Sequence, residues 1–543
     1  VYTLTDSAGK SVGNRTTKED GTSNTLTLPL GTYTVKETSA SKGFKLDTAG
    51  HTVKITADKT ETVKSLEKPE TGKVTLVKAS ADPEATGPLY SLAGAAYTVT
   101  DSAGKSVGKL TTKEDGTSNT LTLPLGTYTV KETSASSGFK LDTKDKTVTI
   151  KADQTETVKS LEEPIPGKIT LLKVSSMEKD GKDPDTLPIE GAVYALYKTK
   201  EDAEAGKNAI GNFIVKADGT SNVIEVLGGK TYYVKETKVP EGYLPDTTIY
   251  SANVNTLTET IQVHSTDNPI FGGVKIKKRD LETGKDRSLG GATLEGAVFT
   301  IYNKSTYAVY ADRKKIPAGA AAMTITTDQT GLAQTGNRTL SYGDYQIVET
   351  TPPEGYTIKG AGPVSFTIRE DGVIVDLTEE KDSIKNQVMR GDFSIRKIDG
   401  DSQKRMAGVT FAVTALDRDG KEIEEHTFTT DKNGIFESTA AFAKKENVDR
   451  IWFGVDTKEN DSLGALPYGD YHIAEIEGEN NQGMEMFEDD FSVYADMQTI
   501  TLGNIENHQK PSILTELRGE GDEQYIPAED VVILTDTVYM ENF

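Results

Sequence analysis

GTYTVKET occupies Gly31–Thr38 and recurs unchanged at Gly126–Thr133, and it returns as TYYVKET (231–237), DYQIVET (344–350) and DYHIAEI (470–476). Its alternation of apolar and polar residues predicts a β-strand, in which successive side chains point to opposite faces. Tyr33, Val35 and Glu37 then share the apolar side. The same parity puts Glu132, Glu236, Glu349 and Glu475 behind Tyr128/Val130, Tyr232/Val234, Tyr345/Ile347 and Tyr471/Ile473. Five inward acids require partners.

Around this strand the chain repeats itself. Residues 2–67 reappear almost verbatim at 97–162, so the architecture is a string of similar units. Each unit runs in one order: a strand ending in Lys, a Gly-Ala-x-Tyr/Phe strand, Thr-rich strands with Asp-Gly or Asn-Gly turns, the Glu strand, a Gly-Phe or Gly-Tyr turn, and closing strands. GAAYTV (94–99), GAVYAL (191–196), GAVFTI (296–301) and GVTFAV (408–413) mark the second strand. No long helical period interrupts the series, and short strands between turn signals predict an all-β chain of sandwiches or partly open barrels.

Short Pro/Gly joints at KPETG (68–72), EPIPG (163–167), NPIFGG (268–273) and VMRG (388–391) place the boundaries. The expected domains are 1–68, which lacks its first strand, then 69–163, 164–269, 270–389 and 390–509, the last with an insertion. Residues 510–543 open a further, truncated β repeat, ending in EDVVILTDTVYMENF (529–543).

Composition narrows the function. A chain of 543 residues is long for one core and suggests several domains. The net charge of −23, with no basic block, argues against nucleic-acid binding. The absence of cysteine excludes disulfides, thiolate metal sites and a cysteine nucleophile. No run approaches the roughly 18 apolar residues that span a membrane, so no membrane insertion is expected in this segment. LPDTT at 244–248 lies inside a repeat with no apolar tail behind it. Both ends read as cut, which leaves targeting and anchoring segments outside these residues.

The partner of the inward acid is an inward amine. Val74/Leu76/Lys78, Ile169/Leu171/Lys173, Val274/Ile276/Lys278 and Phe393/Ile395/Lys397 each end an apolar strand face with lysine. The closing strands end in a third group, Asp267, Asn386 or Asn507. Burial without compensation drives Lys toward the neutral amine and Glu toward the neutral acid. A neutral amine is a nucleophile, and a protonated Glu can polarise the Asn or Asp side-chain carbonyl and move protons during attack. The product would be a side-chain amide with loss of ammonia or water. A solvated ion pair is the plainer reading of one such unit. Recurrence of all three groups in the same order favours the reactive one.

Lys at the end of the first strand, GA-x-Y/F, Y-x-V-x-E-T, P-x-GY as in PEGYLPD (240–246) and PPEGYTI (352–358), and a terminal Asn/Asp before a short joint resemble the CnaB-type, SpaA-like (prealbumin-like) domains of Gram-positive pilins and adhesins. LGALPYGDY (463–471) and NQVMRGDF (386–393) look like large repetitive clostridial surface proteins, and the final fragment resembles the start of a VaFE repeat. The resemblance implies prealbumin-like, Ig-like sandwiches and isopeptide bonds Lys173–Asp267 promoted by Glu236, Lys278–Asn386 by Glu349, and Lys397–Asn507 by Glu475. It implies an extracellular, wall-attached protein without cofactor or metal, its anchor in a region not present here and its ligand, if any, on a host or microbial surface.

Two units depart from that pattern. SLEKP and SLEEP put Glu67 and Glu162 at the acceptor position. The extra methylene displaces the carbonyl by about a bond length, and attack geometry tolerates about 1 Å. Lys78 and Glu162 are therefore expected to form a salt bridge rather than an amide, which leaves Glu132, in the promoting position, without a bond to promote.

Other signals are weaker. Arg390-Gly391-Asp392 spells an integrin tripeptide but sits at a joint entering a strand. The five histidines, His51, His264, His426, His472 and His508, have no metal-ligand spacing. DRDGKEIEE (417–425) lacks a third calcium-loop ligand and reads as a hairpin turn. The leading expectation is a structural stalk. The alternative is an adhesin module whose inserts at 302–323 and 442–464 contact matrix or glycan, with Trp452 as the best single contact. An enzyme acting on an external substrate lacks a convergent cleft motif.

Overall fold

The computed structural model describes residues 1–178, 185–519 and 534–542. Residues 520–533 and Phe543 of the expected final β module, and six residues of the third repeat, lie outside the described residues. Two compact units are distinguished: Val1–Val174 with Glu190–Val239 and Pro245–Ser265, and Ser175–Ile189 with Pro240–Leu244 and Thr266–Phe543.

In the first unit the second repeat displays the plan. Its first strand, Thr71–Ser80, lies between Leu121–Pro124, antiparallel, and the closing strand Thr155–Glu162, parallel. A four-stranded sheet faces it, in the order Lys146–Ile150, Gly126–Ser134, Ala96–Thr100, Ser106–Thr111. Val74 and Leu76 from one sheet and Tyr97, Val99, Tyr128, Val130 and Ile150 from the other meet in one core. The strict period of two gives each strand one apolar face to contribute. The first repeat keeps the four-stranded sheet, built on Tyr2–Thr5 and Gly31–Glu37, over a smaller core of Tyr2, Leu4 and Val35.

In the second unit the fourth repeat sets Phe271–Asp280 beside Ile374–Leu377 and Ile384–Asn386, and the fifth sets Arg390–Asp399 beside Thr499–Asn507, again parallel. The insert at 302–323 is not a free loop. Val309–Ala311 and Lys314–Ile316 form a hairpin that extends the sheet of Phe271–Asp280 through Leu340–Ser341.

Two short helices, Lys200–Ala205 and Ala440–Glu446, were not expected from periodicity. Each starts at a threonine cap, Thr199 or Thr439, whose hydroxyl accepts from the third following backbone N–H. The turn reading of DRDG holds: Asp417 Oδ1 accepts from the backbone N–H groups of Asp419 and Lys421.

The VMRG joint departs from a solvated linker. Val388 and Arg390 are fully buried, and Arg390 already belongs to the first strand of its repeat. Its guanidinium donates to Glu282 and to the carbonyls of Phe453 and Ala465. Asp392 pairs with Thr499 in the sheet. A tripeptide held this way offers no arginine to an integrin.

Candidate cross-linking sites

Each site forms where the two sheets of a repeat face each other. The first strand and the closing strand run parallel in one register, so Lys78, Lys278 and Lys397 lie opposite Ser160, Ile384 and Ile505, two residues before the acceptor position. On the facing sheet the glutamate lies opposite the aromatic of the second strand: Tyr2 with Glu37, Tyr97 with Glu132, Tyr194 with Glu236, Phe299 with Glu349 and Phe411 with Glu475. Lysine and glutamate thus enter one closed space from opposite walls, and Lys78, Lys173, Lys278 and Lys397 are at most 1% exposed.

The fifth repeat has the tightest assembly. Lys397 Nζ contacts Asn507 Oδ1 and lies 3.3 Å from Glu475 Oε2. Asn507 Nδ2 donates to Glu475 Oε1 at 2.7 Å, and Asn481 Nδ2 donates to the same oxygen at 2.8 Å. Burial lowers the Lys397 amine below the usual lysine range, against the opposing pull of Glu475. Asn481 carried no sequence signal, because its partner is brought near only by the turn that follows the Glu strand.

In the fourth repeat Lys278 Nζ is 3.6 Å from Glu349 Oε1 and donates to the Ile384 carbonyl at 3.3 Å. Asn386, fully buried, ends the neighbouring strand. Burial lowers Lys278 to about 8 and raises Glu349, in both cases as the largest influence. The pair is thereby pushed toward neutral amine and neutral acid.

In the second repeat Lys78 Nζ lies 3.1 Å from Glu132 Oε1 and 3.6 Å from Glu162 Oε2. Glu162 Oε1 accepts from Tyr97 Oη at 3.1 Å and also from Ser160 Oγ. Glu132 Oε2 is fixed by the Asp142 backbone N–H at 2.6 Å. In the third repeat Lys173 Nζ donates to Glu236 Oε1 at 2.9 Å and to Tyr194 Oη at 2.7 Å, and the Asp246 N–H holds Glu236 Oε2 at 2.8 Å. Asp267 is buried at the end of its strand. In the first repeat Tyr2 Oη donates to Glu67 at 2.9 Å and the Asp47 N–H to Glu37 at 2.6 Å.

Family comparison matches the same frame. Five stretches, 1–69, 73–164, 168–269, 272–382 and 391–506, match the family described as SpaA, prealbumin-like fold domain. The chain belongs to that family. No curated protein matches it. Among solved structures, the Bacillus anthracis TIE protein is 21% identical, with a TM-score of 0.38 over 71% of this chain and 68% of that one. BcpA, the major pilin subunit of Bacillus cereus, is 17% identical, with a TM-score of 0.25 over 64% of this chain and 100% of its own. The pilus adhesin SpaC of Lactobacillus rhamnosus GG is 14% identical, with a TM-score of 0.26 over 66% of this chain and 48% of that one.

The second to fifth SpaA-like domains each bury a lysine and a glutamate on the side that the sequence parity required, and the first contributes Glu37 without a lysine. The aromatic of the second strand lies opposite the glutamate in all five. The GA-x-Y/F motif was legible in the sequence, but its place in the site was not. The insert of the fifth SpaA-like domain turns inward. Trp452 stacks 3.9 Å from the Arg390 guanidinium and donates from Nε1 to Thr457 Oγ1 at 2.8 Å. Among the described residues no cluster of His, Cys, Asp or Glu could hold a metal ion.

Proposed function

We propose that this chain is a stalk segment of a Gram-positive cell-surface protein of the pilin or adhesin type, stiffened by intramolecular isopeptide bonds. The observation that carries the reading is the fifth-repeat triad, in which the amine touches the Asn507 side-chain carbonyl while its amide nitrogen donates to buried Glu475.

The chemistry balances within the triad. The neutral Lys397 amine attacks Asn507 Cγ, Glu475 takes a proton from the attacking nitrogen, and the same carboxyl delivers a proton to the departing nitrogen. A C–N bond forms, a C–N bond breaks, and ammonia leaves. Glu475 ends as it began, so a single turnover closes the domain. Lys278, Glu349 and Asn386 support the same reaction in the fourth repeat. The sequence pattern extends it to Lys173, Glu236 and Asp267 with loss of water, and the second repeat remains an ion pair.

Mechanical function follows from connectivity. Lysine sits on the first strand and the acceptor on the last, separated by 110 positions in the fifth repeat. A bond between them carries tension past everything in between. If the loop arithmetic of disulfides transfers, closure of such a loop contributes about 4–5 kcal/mol against the unfolded chain. Pulling the chain from its ends tests the reading. The fourth and fifth repeats are expected to give no lengthening step and the second repeat to give one; full extension of the fourth and fifth would refute it.

A further inference from the structure

The five sites fall into two chemical classes, and the class follows the acceptor. Where the acceptor position holds an acid, two hydroxyls accompany it: Tyr2 and Ser65 with Glu67, Tyr97 and Ser160 with Glu162, Tyr194 and Ser265 with Asp267. Where it holds an amide, both hydroxyls are gone: Phe299 and Ile384 with Asn386, Phe411 and Ile505 with Asn507.

The geometry gives the reason. Tyr97 Oη and Ser160 Oγ both donate to Glu162 Oε1, and Tyr2 Oη donates to Glu67 Oε1. In the third repeat Tyr194 Oη hydrogen-bonds Ser265 Oγ at 2.5 Å while receiving the Lys173 amine. A buried carboxylate without donors is strongly destabilised, whereas a carboxamide carries no charge and costs less to bury. Ile384 and Ile505, directly opposite Lys278 and Lys397, give the amide sites an apolar wall. Burial also raises the Tyr97 phenol, so it remains an O–H donor.

Resting on the isopeptide reading above, we propose that the hydroxyl pair at the second strand and the closing strand selects the acceptor: Tyr/Ser sites hold a carboxyl acceptor and Phe/Ile sites are restricted to a carboxamide. In the Tyr/Ser site of the third repeat the amine attacks the protonated carboxyl, and the hydroxyls stabilise the oxygen on which charge develops. The C–N bond forms and the C–O bond breaks, the leaving hydroxyl takes a proton from Glu236 and departs as water, and the nitrogen returns its proton to the Glu236 carboxylate. In the second repeat the longer Glu162 side chain keeps the same hydroxyls in an ion-pair site. In a Phe/Ile site neither the second nor the closing strand supplies a hydroxyl at these positions, and the amide, whose nitrogen donates to Glu475 in the fifth repeat, is the group aligned for departure.

The full chain tests this by intact mass and by tryptic peptides joined through Lys397. Asn507→Asp alone is expected to leave the fifth repeat open, with at least a tenfold loss of closure, about 1.4 kcal/mol in the barrier. Asn507→Asp combined with Phe411→Tyr and Ile505→Ser is expected to restore closure with loss of water. Tyr194→Phe, a conservative change, is expected to slow closure of the third repeat by a similar factor. Selection is overturned if Asn507→Asp closes as fully as the triple variant, if the folded triple variant stays open, or if Tyr194→Phe closes at the native rate. An unmodified mass for the native chain would instead overturn the underlying isopeptide reading.

Discussion

Arg390 of the fifth repeat and Glu282 of the fourth form a two-point ion pair, Nε to Oε1 and Nη2 to Oε2 both at 2.7 Å, with the guanidinium wholly buried. The same carboxylate accepts from Gln387, and Trp452 covers the other face of the guanidinium. Removing one partner of a buried pair leaves the other charge uncompensated, at a cost of about 3–5 kcal/mol. Trp452 is the chain's one tryptophan, so its fluorescence reports this joint. Glu282→Ala is expected to red-shift its emission and increase quenching by acrylamide. Unchanged emission with unchanged melting would mean that the pair does not hold the joint.

Intact mass is the most direct measure of the cross-links. The chain is expected to be lighter than its sequence by two ammonias, from Asn386 and Asn507, and one water, from Asp267. A second missing water would place a bond at Glu162 as well. Tryptic digestion should release branched peptides at Lys278 and Lys397, because lysine in amide linkage is not cleaved.

Glu349→Ala should leave the fourth repeat folded and one ammonia heavier. Loss of a positioned proton carrier slows such a step by about 10²–10⁴-fold. Native closure in that variant, read from the Lys278–Asn386 branched peptide, would remove the role assigned to Glu349.

Asn386→Ala leaves Lys278 buried and unbonded, and its depressed pKa sets a pH dependence. The folded chain releases that proton near pH 8, whereas the unfolded chain holds it to the ordinary lysine value of 10.5. Between these values the unfolded state binds more protons, so stability rises with pH across that window. Relative to Asn386→Ala with Lys278→Met, the melting point of Asn386→Ala is expected to climb from pH 8 to pH 10. Parallel curves would show that burial does not depress the amine.

Much of the site was legible because strand periodicity is local. Tyr33, Val35 and Glu37 had to share a face whatever surrounded them, and Lys78, Lys278 and Lys397 followed from the same count. Repetition then fixed the order of strands, and the all-β, tandem SpaA-like architecture was readable before any coordinate. Asn481 was not readable, since its contact with Glu475 depends on the path of a turn. Nor was the joint at Arg390. Val-Met-Arg-Gly has the composition of a linker, and only the arrival of Glu282, Trp452 and the carbonyls of Phe453 and Ala465 from distant positions makes it a buried clamp. Sequence determined which side chains face inward, because alternation is a property of one strand. Tertiary structure decided which of them meet, because register between strands and the folding of inserts are set by packing among segments about a hundred residues apart.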